Sequence, residues 1–121
     1  GAYSLSSDGT CVRDYIHVTD LADAHVRAVS RMLDGGGSDL FNLGAGDGYS
    51  VREVIDSVGR IVGTPVPAIE DARRAGDPAR LVADISHARA GLGWQPVHSS
   101  LDNILTTAWN WYQAQAAADL A

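Results

Sequence analysis

Residues 11–18 read Cys-Val-Arg-Asp-Tyr-Ile-His-Val, and this stretch determines the first structural unit that the sequence predicts. Its β-branched and aromatic residues are typical of a strand. Alternation along the strand gives a mainly apolar face and a polar face that carries Arg13 and Tyr15. Thr19 or Asp20 follows as the candidate N-cap of a helix. The sequence therefore predicts a strand that leads directly into a helix.

Helices and short strands alternate along the rest of the chain. Apolar residues at helical spacing, the first of them Leu21, predict a helix that ends at the Gly-Gly-Gly run of residues 35–37. A short strand is predicted at residues 40–43, Leu-Phe-Asn-Leu. An edge strand is predicted at residues 66–70, where Pro67 cannot donate to a sheet. This order of elements indicates an α/β fold.

Two further helices are predicted from their start and stop residues. Ser50 and Glu53 have the spacing of a capping box, and Gly63 ends the helix that they begin. Ser86 is the candidate cap of a short helix that ends at Gly91.

A last amphipathic helix is predicted to begin near Ser100. Its Ala-rich and Gln-containing end, residues 113–121, is expected to fray because it has no apolar stripe to bury. The sequence shows no internal repeat and no second boundary, so we expect residues 1–121 to form a single domain.

Composition excludes several classes of function. The 121 residues include 15 acidic side chains and 9 basic ones, all of them arginine, for a net charge of −6. A negative protein is a poor binder of nucleic acid or of an anionic membrane. Without lysine, this chain cannot supply a Schiff base, a P-loop lysine or a Tyr-x-x-x-Lys pair. The single Cys11, the lack of a long apolar run and an N-terminus unlike an export signal lead us to expect a cytoplasmic protein.

The turn at residues 44–48, Gly-Ala-Gly-Asp-Gly, imitates the loop of a dinucleotide-binding βαβ unit. That fingerprint needs its third glycine three positions after the second, where this chain has Tyr49. We therefore expect a tight turn into the next helix rather than a cofactor loop.

Two groups of residues are candidates for binding an anionic ligand. Arg73 and Arg74 lie close to Asp77 on a Gly- and Pro-containing loop, which suits a ligand with both phosphate and hydroxyl groups. The alternative is a solvated loop with weak ion pairs. Arg13 with Tyr15 could hold a phosphate and a base or sugar, and the alternative is an arginine stacked on a neighbouring ring.

The other polar residues are explained more simply. Strand alternation and helix capping account for Asp14, Asp20 and Asp23 without paired catalytic carboxylates. The four histidines lack the spacing of a zinc site, and Cys11 lacks the setting of a nucleophile. The three tryptophans are expected to pack in the core and in turns.

Residues 8–25, Asp-Gly-Thr-Cys-Val-Arg-Asp-Tyr-Ile-His-Val-Thr-Asp-Leu-Ala-Asp-Ala-His, resemble the segment that opens the C-terminal region of the UDP-glucose 4-epimerases. These enzymes are extended short-chain dehydrogenases/reductases. The similarity continues through Asn-Leu-Gly-Ala-Gly at residues 42–46, Arg-Arg-Ala-Gly-Asp at residues 73–77 and Gly-Leu-Gly-Trp at residues 91–94. It follows the order of the family to about residue 112.

The resemblance implies that this chain is the C-terminal substrate-binding part of such an enzyme. The family's N-terminal Rossmann half holds NAD, the catalytic Ser/Thr and the Tyr-x-x-x-Lys pair, and that half is absent here. The full-length enzyme would interconvert UDP-glucose and UDP-galactose through a 4-keto sugar, whereas this chain alone would be inactive and would bind no cofactor. The predicted strand at residues 40–43 would lie beside the sheet of the Rossmann half.

The resemblance also implies the roles of individual residues. Arg13 and Arg74 match the arginines that bind the UDP diphosphate, and Tyr15 matches a residue that lines the nucleotide site. Val51 matches a uridine contact, and Asp77 matches the carboxylate that binds the ribose hydroxyls. Arginines suit a diphosphate, and a carboxylate accepts from ribose hydroxyls, because charge-assisted hydrogen bonds are stronger than neutral ones.

Leu81 matches a position beside the sugar that is Tyr in some members of the family. Because Leu is smaller than Tyr, we expect room for a 2-acetamido group.

Two other functions stay open from the sequence. The chain could be part of another NAD-dependent sugar-nucleotide epimerase or dehydratase, or a non-catalytic small nucleotide-binding α/β module that uses the turn at residues 44–48. Apolar surface that a Rossmann half would cover also leads us to expect a homodimer or a higher oligomer.

Overall fold

The computed structural model describes residues 8–120, so residues 1–7 and Ala121 of the predicted single domain lie outside the described part. Short strands alternate with helices, as the sequence predicts. The elements are β1 (Val12–Arg13), α1 (Val18–Leu33), β2 (Tyr49–Ser50), α2 (Val51–Val62), β3 (Arg80–Leu81), α3 (Ser86–Leu92) and α4 (Leu101–Asp119).

A small mixed sheet joins three distant parts of the chain, with β1 in the centre of the order β2-β1-β3. In the antiparallel pair of β1 with β2, Arg13 lies opposite Tyr49. In the parallel pair of β1 with β3, Arg13 lies opposite Leu81. The sheet therefore sets the arginine of β1 beside the residue that was expected to contact the sugar.

The core lies between α1, α3 and the loop that follows α3. Trp94 is fully buried and its ring nitrogen donates to the carbonyl oxygen of Asp20 at 2.8 Å. Ala24, Ile85 and Ala88 complete the buried cluster. The partly buried residues packed against it are Ile16, Phe41, Leu43, Ala83 and Leu92.

The beginning of α1 differs from the prediction. The strand expected over residues 11–18 is reduced to Val12–Arg13, because only these two residues have partner strands. The helix already begins at Val18 and its N-cap is His17, whose Nδ1 accepts from the backbone N–H of Thr19 at 3.0 Å. Neither Thr19 nor Asp20 is the cap.

Two predicted strands do not form. Residues 40–43 and 66–70 are in no strand, because a strand needs hydrogen-bonding partners on a neighbouring segment and this part of the fold offers them none. Phe41 and Leu43 still pack on the core, whereas Leu40 is 78% exposed, so the apolar pattern at 40–43 predicts burial for two of its three apolar residues.

The other helix boundaries follow the sequence closely. The capping box of Ser50 and Glu53 is present, and Gly63 ends α2 in the left-handed conformation. Ser100 caps α4 as predicted. For α3 the prediction was wrong, because Ser86 is its first residue and the cap position is Ile85.

The tryptophans divide between core and surface. Trp94 is buried as expected, and Trp109 stacks on Tyr112 with ring centroids 5.5 Å apart. Trp111 was expected to pack, but 65% of it is exposed on α4.

Candidate functional site: an arginine and aspartate cluster

Arg13 and the arginine loop, which are far apart in sequence, meet at the carboxylate of Asp77. Arg13 Nη2 donates to Asp77 Oδ1 at 2.5 Å across 64 positions of sequence. Arg74 Nη2 donates to Asp77 Oδ2 at 3.4 Å. We call these three residues the Arg–Asp cluster. The structure thus brings together three of the residues that the sequence singled out for an anionic ligand.

The loop is held to the cluster by two more contacts. Arg73 Nη2 donates to the backbone oxygen of Asp77 at 2.8 Å. The thiol of Cys11 lies 3.8 Å from Asp77 Oδ2, within reach of a weak hydrogen bond. Several donors therefore surround Asp77, while residues 71–76 of the loop are exposed to solvent.

Exposure differs between the members of the Arg–Asp cluster. The side chains of Arg13 and Asp77 are each 24% exposed, whereas that of Arg74 is 86% exposed. Arg13 is held further by its own donation from Nη1 to the oxygen of Val12 at 2.8 Å. The cluster thus combines a fixed guanidinium at the end of β1 with a second one that extends into solvent.

The electrostatics of Asp77 follow from this setting. Burial raises the pKa of its carboxyl group. The charges of Arg13 and Arg74 and the hydrogen bonds that they donate lower this pKa, and together they outweigh the effect of burial. The net result is a pKa below the usual 3.8. Asp77 is accordingly an anion at neutral pH, and it partly neutralises both arginines.

The remaining predicted site residues lie around the central strand. Leu81 is opposite Arg13 in the parallel ladder and is 59% exposed. Val51 is the first residue of α2, and its backbone N–H donates to the oxygen of Cys11 at 3.0 Å. Tyr15 is half-buried just after β1. These residues flank the cluster, although no hydrogen bond or salt bridge joins Leu81, Val51 or Tyr15 to its side chains in the described contacts.

Asp14 has a structural role that the sequence analysis missed. Its Oδ1 accepts from the backbone N–H of Ala45 at 2.7 Å, and its Oδ2 accepts from that of Ala83 at 3.0 Å. A Cβ atom at Gly44 would lie 2.0 Å from Asp14 Oδ2, so only glycine fits there. The available signal was an acid on a mainly apolar strand face, which needs buried partners.

Asp20 was expected to cap α1, and it is instead a buried link to the segment before α4. One of its carboxylate oxygens accepts from the backbone N–H of His98 at 2.9 Å and from the hydroxyl of Ser99 at 2.5 Å. The prediction of a cap was wrong because a buried carboxylate next to a helix start can find donors elsewhere in the fold.

Gly44 and Gly48, the first and last residues of the glycine turn at residues 44–48, pack closely against other parts of the chain. Gly48 has a φ of +77°, and a Cβ there would lie 2.7 Å from a methyl group of Val82 and 2.8 Å from one of Val12. The glycines are thus required for close packing against β1 and the segment after β3. The turn connects the segment after α1 to β2 and α2.

Within residues 8–120, the His, Cys, Asp and Glu side chains form no group of three or more that could hold a metal ion. Among the same residues, no helix has both the length and the apolar character that a membrane span requires.

A family model matches part of this chain, and known sequences are similar to most of it. The NAD dependent epimerase/dehydratase family matches at residues 2–44. The UDP-glucose 4-epimerase of Azospirillum brasilense is 53% identical over 104 residues, which are 86% of this chain and 30% of that protein. The one from Halalkalibacterium halodurans is 47% identical over 89% of this chain and 32% of that protein.

Solved structures of UDP-glucose 4-epimerases are similar to this chain as well. A UDP-glucose 4-epimerase from Brucella ovis in complex with NAD has 53% identity and a TM-score of 0.80 over 83% of this chain and 31% of that one. The enzyme from Bifidobacterium longum in complex with NAD+ and UDP has 42% identity and a TM-score of 0.82 over 93% and 32% of the two chains. This chain spans about a third of the length of its relatives. The resemblance to their C-terminal part is confirmed.

Proposed function

We propose that this chain, which matches the C-terminal part of the UDP-glucose 4-epimerases of the NAD dependent epimerase/dehydratase family, is the UDP-sugar-binding part of such an enzyme. In the full-length protein it would hold the UDP group while UDP-glucose and UDP-galactose interconvert at C4. Alone, with about a third of its relatives' length, the chain would bind the nucleotide without turning over the sugar.

The convergence of Arg13 and Arg74 on one carboxylate is the observation that carries this proposal. Two guanidiniums that already share an anion are placed to share a diphosphate, to which each can donate charge-assisted hydrogen bonds. The ribose hydroxyls would donate to Asp77, and Val51 and Tyr15 would flank the uridine. Firm anchoring of the diphosphate leaves the sugar as the part of the ligand that can turn.

Gly44 and Gly48, the two ends of the turn at residues 44–48, are packed against Asp14, Val12 and Val82, which supports a role for this turn as a connection. We therefore propose that the cofactor is bound by the part of the enzyme that precedes this chain. NAD, when bound there, would supply the hydride-transfer chemistry. The residues of this chain hold and orient the substrate during that exchange. The lone Cys11 suits a reducing compartment, and we propose that the enzyme is cytoplasmic.

Calorimetry with UDP tests the proposal directly. We expect Arg74→Ala to weaken UDP binding by about tenfold or more, because it removes charge-assisted hydrogen bonds worth about 1.5 to 3 kcal/mol. Arg89→Ala is the matched control, since it removes the same charge from α3, outside the Arg–Asp cluster. Equal UDP affinities of the Arg74→Ala and Arg89→Ala variants would contradict the assignment, as would an unaltered chain that does not bind UDP.

The size of Leu81 leads to a second prediction, which concerns the sugar that the full-length enzyme accepts. Its exposed side chain lies beside Arg13 in the sheet and leaves more space than a tyrosine would. We propose that the full-length enzyme accepts UDP-N-acetylgalactosamine as well as UDP-galactose, and that Leu81→Tyr removes the first activity selectively. Rates measured with both sugars check this, and no turnover of the acetamido sugar by the unaltered enzyme would contradict it.

A further inference from the structure

We infer that Asp77 makes the site selective for nucleoside diphosphates over free diphosphate, because its carboxylate takes the place of the anion when no ligand is bound. The inference rests on the proposed function and adds a role for Asp77 beyond contact with the ribose. The carboxylate accepts from Nη2 of Arg13 at 2.5 Å and from Nη2 of Arg74 at 3.4 Å, so it already occupies part of the donor set that would bind phosphate.

An incoming diphosphate competes with the carboxylate of Asp77 for the two guanidiniums. The backbone of Asp77 can stay in place during this exchange, because Arg73 donates to its carbonyl oxygen at 2.8 Å. The displaced carboxylate then lies next to the phosphate groups with Cys11 as its remaining neighbour, a weak donor at 3.8 Å. The negative charges of the carboxylate and the phosphates repel each other. The loss of its arginine donors also costs the carboxylate free energy.

A nucleoside diphosphate compensates for this loss, whereas inorganic pyrophosphate does not. Ribose carries two hydroxyl groups that can donate to the displaced carboxylate, since ionised carboxylates only accept. Pyrophosphate oxygens mainly accept, so they leave Asp77 without new partners. The same carboxylate therefore opposes the diphosphate alone and favours the diphosphate that is attached to a nucleoside.

Asp77→Asn separates the two effects, because the amide keeps the shape of the side chain and removes its charge. We measure the binding of UDP and of inorganic pyrophosphate by calorimetry, without divalent metal and at constant ionic strength. We expect pyrophosphate to bind about threefold to tenfold more tightly, because its phosphates no longer compete with a carboxylate. UDP has the same gain but loses a charge-assisted hydrogen bond from its ribose, so it binds no more tightly than before. The preference for UDP over pyrophosphate thus falls by about tenfold, the scale of one such hydrogen bond.

Asp71→Asn is the matched control. It removes the same charge from an exposed aspartate of the same loop, and an asparagine can still accept from the N–H of Ala72, as Asp71 Oδ1 does at 2.7 Å. We expect both affinities to change by less than about twofold, because exposed charges interact weakly at ordinary ionic strength. Equal tightening of pyrophosphate binding by Asp71→Asn and Asp77→Asn would overturn the inference, since net charge alone would then explain it.

Further outcomes distinguish this inference from the proposed function. If Asp77→Asn weakens UDP and pyrophosphate equally, Asp77 only orders the arginines and the inference is wrong, while UDP binding by the unaltered chain still supports the proposed function. An unaltered chain that binds neither ligand contradicts the proposed function itself.

A second measurement needs no variant, in case Asp77→Asn does not fold. In the unaltered chain, carbon NMR follows the titration of the Asp77 carboxyl group. We expect pyrophosphate to raise the pKa of Asp77, because the group loses its arginine donors and gains an anionic neighbour. We expect UDP to raise it less, because the ribose donates to it. The inference would be overturned if the pKa of Asp77 were the same in the free chain, with pyrophosphate and with UDP.

Discussion

Asp14 shows how one side chain can set the geometry of a site that it does not enter. Its two carboxylate oxygens hold Ala45, in the turn before β2, and Ala83, in the segment after β3. Both segments flank the strand on which Arg13 lies. The carboxylate thereby ties together the three parts of the chain that carry Arg13, Val51 and Leu81.

We expect Asp14→Ala to lower the free energy of unfolding by about 3 kcal/mol, since two hydrogen bonds to a charged group are lost at about 1.5 to 3 kcal/mol each, less some recovery by water. Urea denaturation measures this. Asp23→Ala is the control, because it removes an exposed carboxylate that pairs with Arg27 at 3.0 Å on the surface of α1. That change costs about 0.5 kcal/mol or less. Equal losses for both variants would refute the role of Asp14.

The pH dependence of stability contains a contribution from Asp77. Because the pKa of Asp77 in the folded chain lies below the usual 3.8, its ion pairs stabilise the fold above about pH 3.8 and this contribution disappears as the pH falls through the lower, folded value. The difference in unfolding free energy between the unaltered chain and Asp77→Asn should therefore be constant near neutral pH and shrink below about pH 3.8. A difference that grows with acidity would have the wrong sign.

At the scale of elements, α2 begins with the strongest local signal in the chain. Ser50 Oγ accepts from the N–H of Glu53 at 3.1 Å, and Glu53 Oε2 accepts from the N–H of Ser50 at 2.6 Å. The same hydroxyl donates to Asp8 at 2.5 Å, so it links the start of the described chain to the helix. Ser50 is buried, and water cannot replace these partners.

Ser50→Ala should lower the free energy of unfolding by about 1 to 2 kcal/mol, the upper part of the range for N-cap serines, because the bond to Asp8 is lost as well. Thermal unfolding followed by circular dichroism measures the change. Ser30→Ala, at an exposed position inside α1, is the control and should leave stability the same or slightly higher, since alanine is the better helix former. An unchanged midpoint for Ser50→Ala would show that the capping box contributes nothing.

The end of α4 is predicted to contribute little. The helix continues to Asp119, and each residue over 111–120 is exposed. We expect deletion of residues 114–121 to change the free energy of unfolding by less than about 0.5 kcal/mol, as for surface positions in general. We also expect rapid amide exchange in this segment, in keeping with the fraying predicted from the sequence. Slow exchange there, or a large loss on deletion, would show that the segment has a partner.

At the scale of the whole molecule, α1 has a second apolar face that the core does not use. Val18, Val26, Val29, Met32 and Leu33 are each at least half exposed, and Leu33 reaches 82%. Exposed apolar groups along one helix favour association. Relatives about three times as long have further chain that could cover such a surface.

We therefore predict that the isolated chain forms a dimer or a higher oligomer at micromolar concentration. Replacing Val26 and Val29 by serine should shift it toward the monomer, because both side chains lie on the exposed face of α1. Replacing Ile69, an exposed residue of the long loop before β3, by serine is the control and should leave the mass unchanged. Light scattering measures the mass, and a monomeric unaltered chain would contradict the prediction.

Elements with local signals could be predicted from the sequence. The capping box of Ser50, the left-handed Gly63 and the cap at Ser100 depend on residues within a few positions, so pattern and structure agree there. The predictions of strands at residues 40–43 and 66–70 were wrong, because a strand depends on a partner segment and not only on its own residues. The prediction of Asp20 as a cap of α1 was wrong, because its carboxylate accepts instead from His98 and Ser99.

The sequence by itself determined the alternation of helices and short strands, the resemblance to the C-terminal part of a family of epimerases, and the residue types that suit a nucleotide ligand. Only the tertiary structure decided that Arg13 and Asp77 share an ion pair across 64 positions. It also decided that the carboxylate of Asp14 accepts hydrogen bonds from the backbone of two distant segments. Local patterns record which conformation a segment prefers, whereas the partner of a charge depends on which distant segments the sheet brings together.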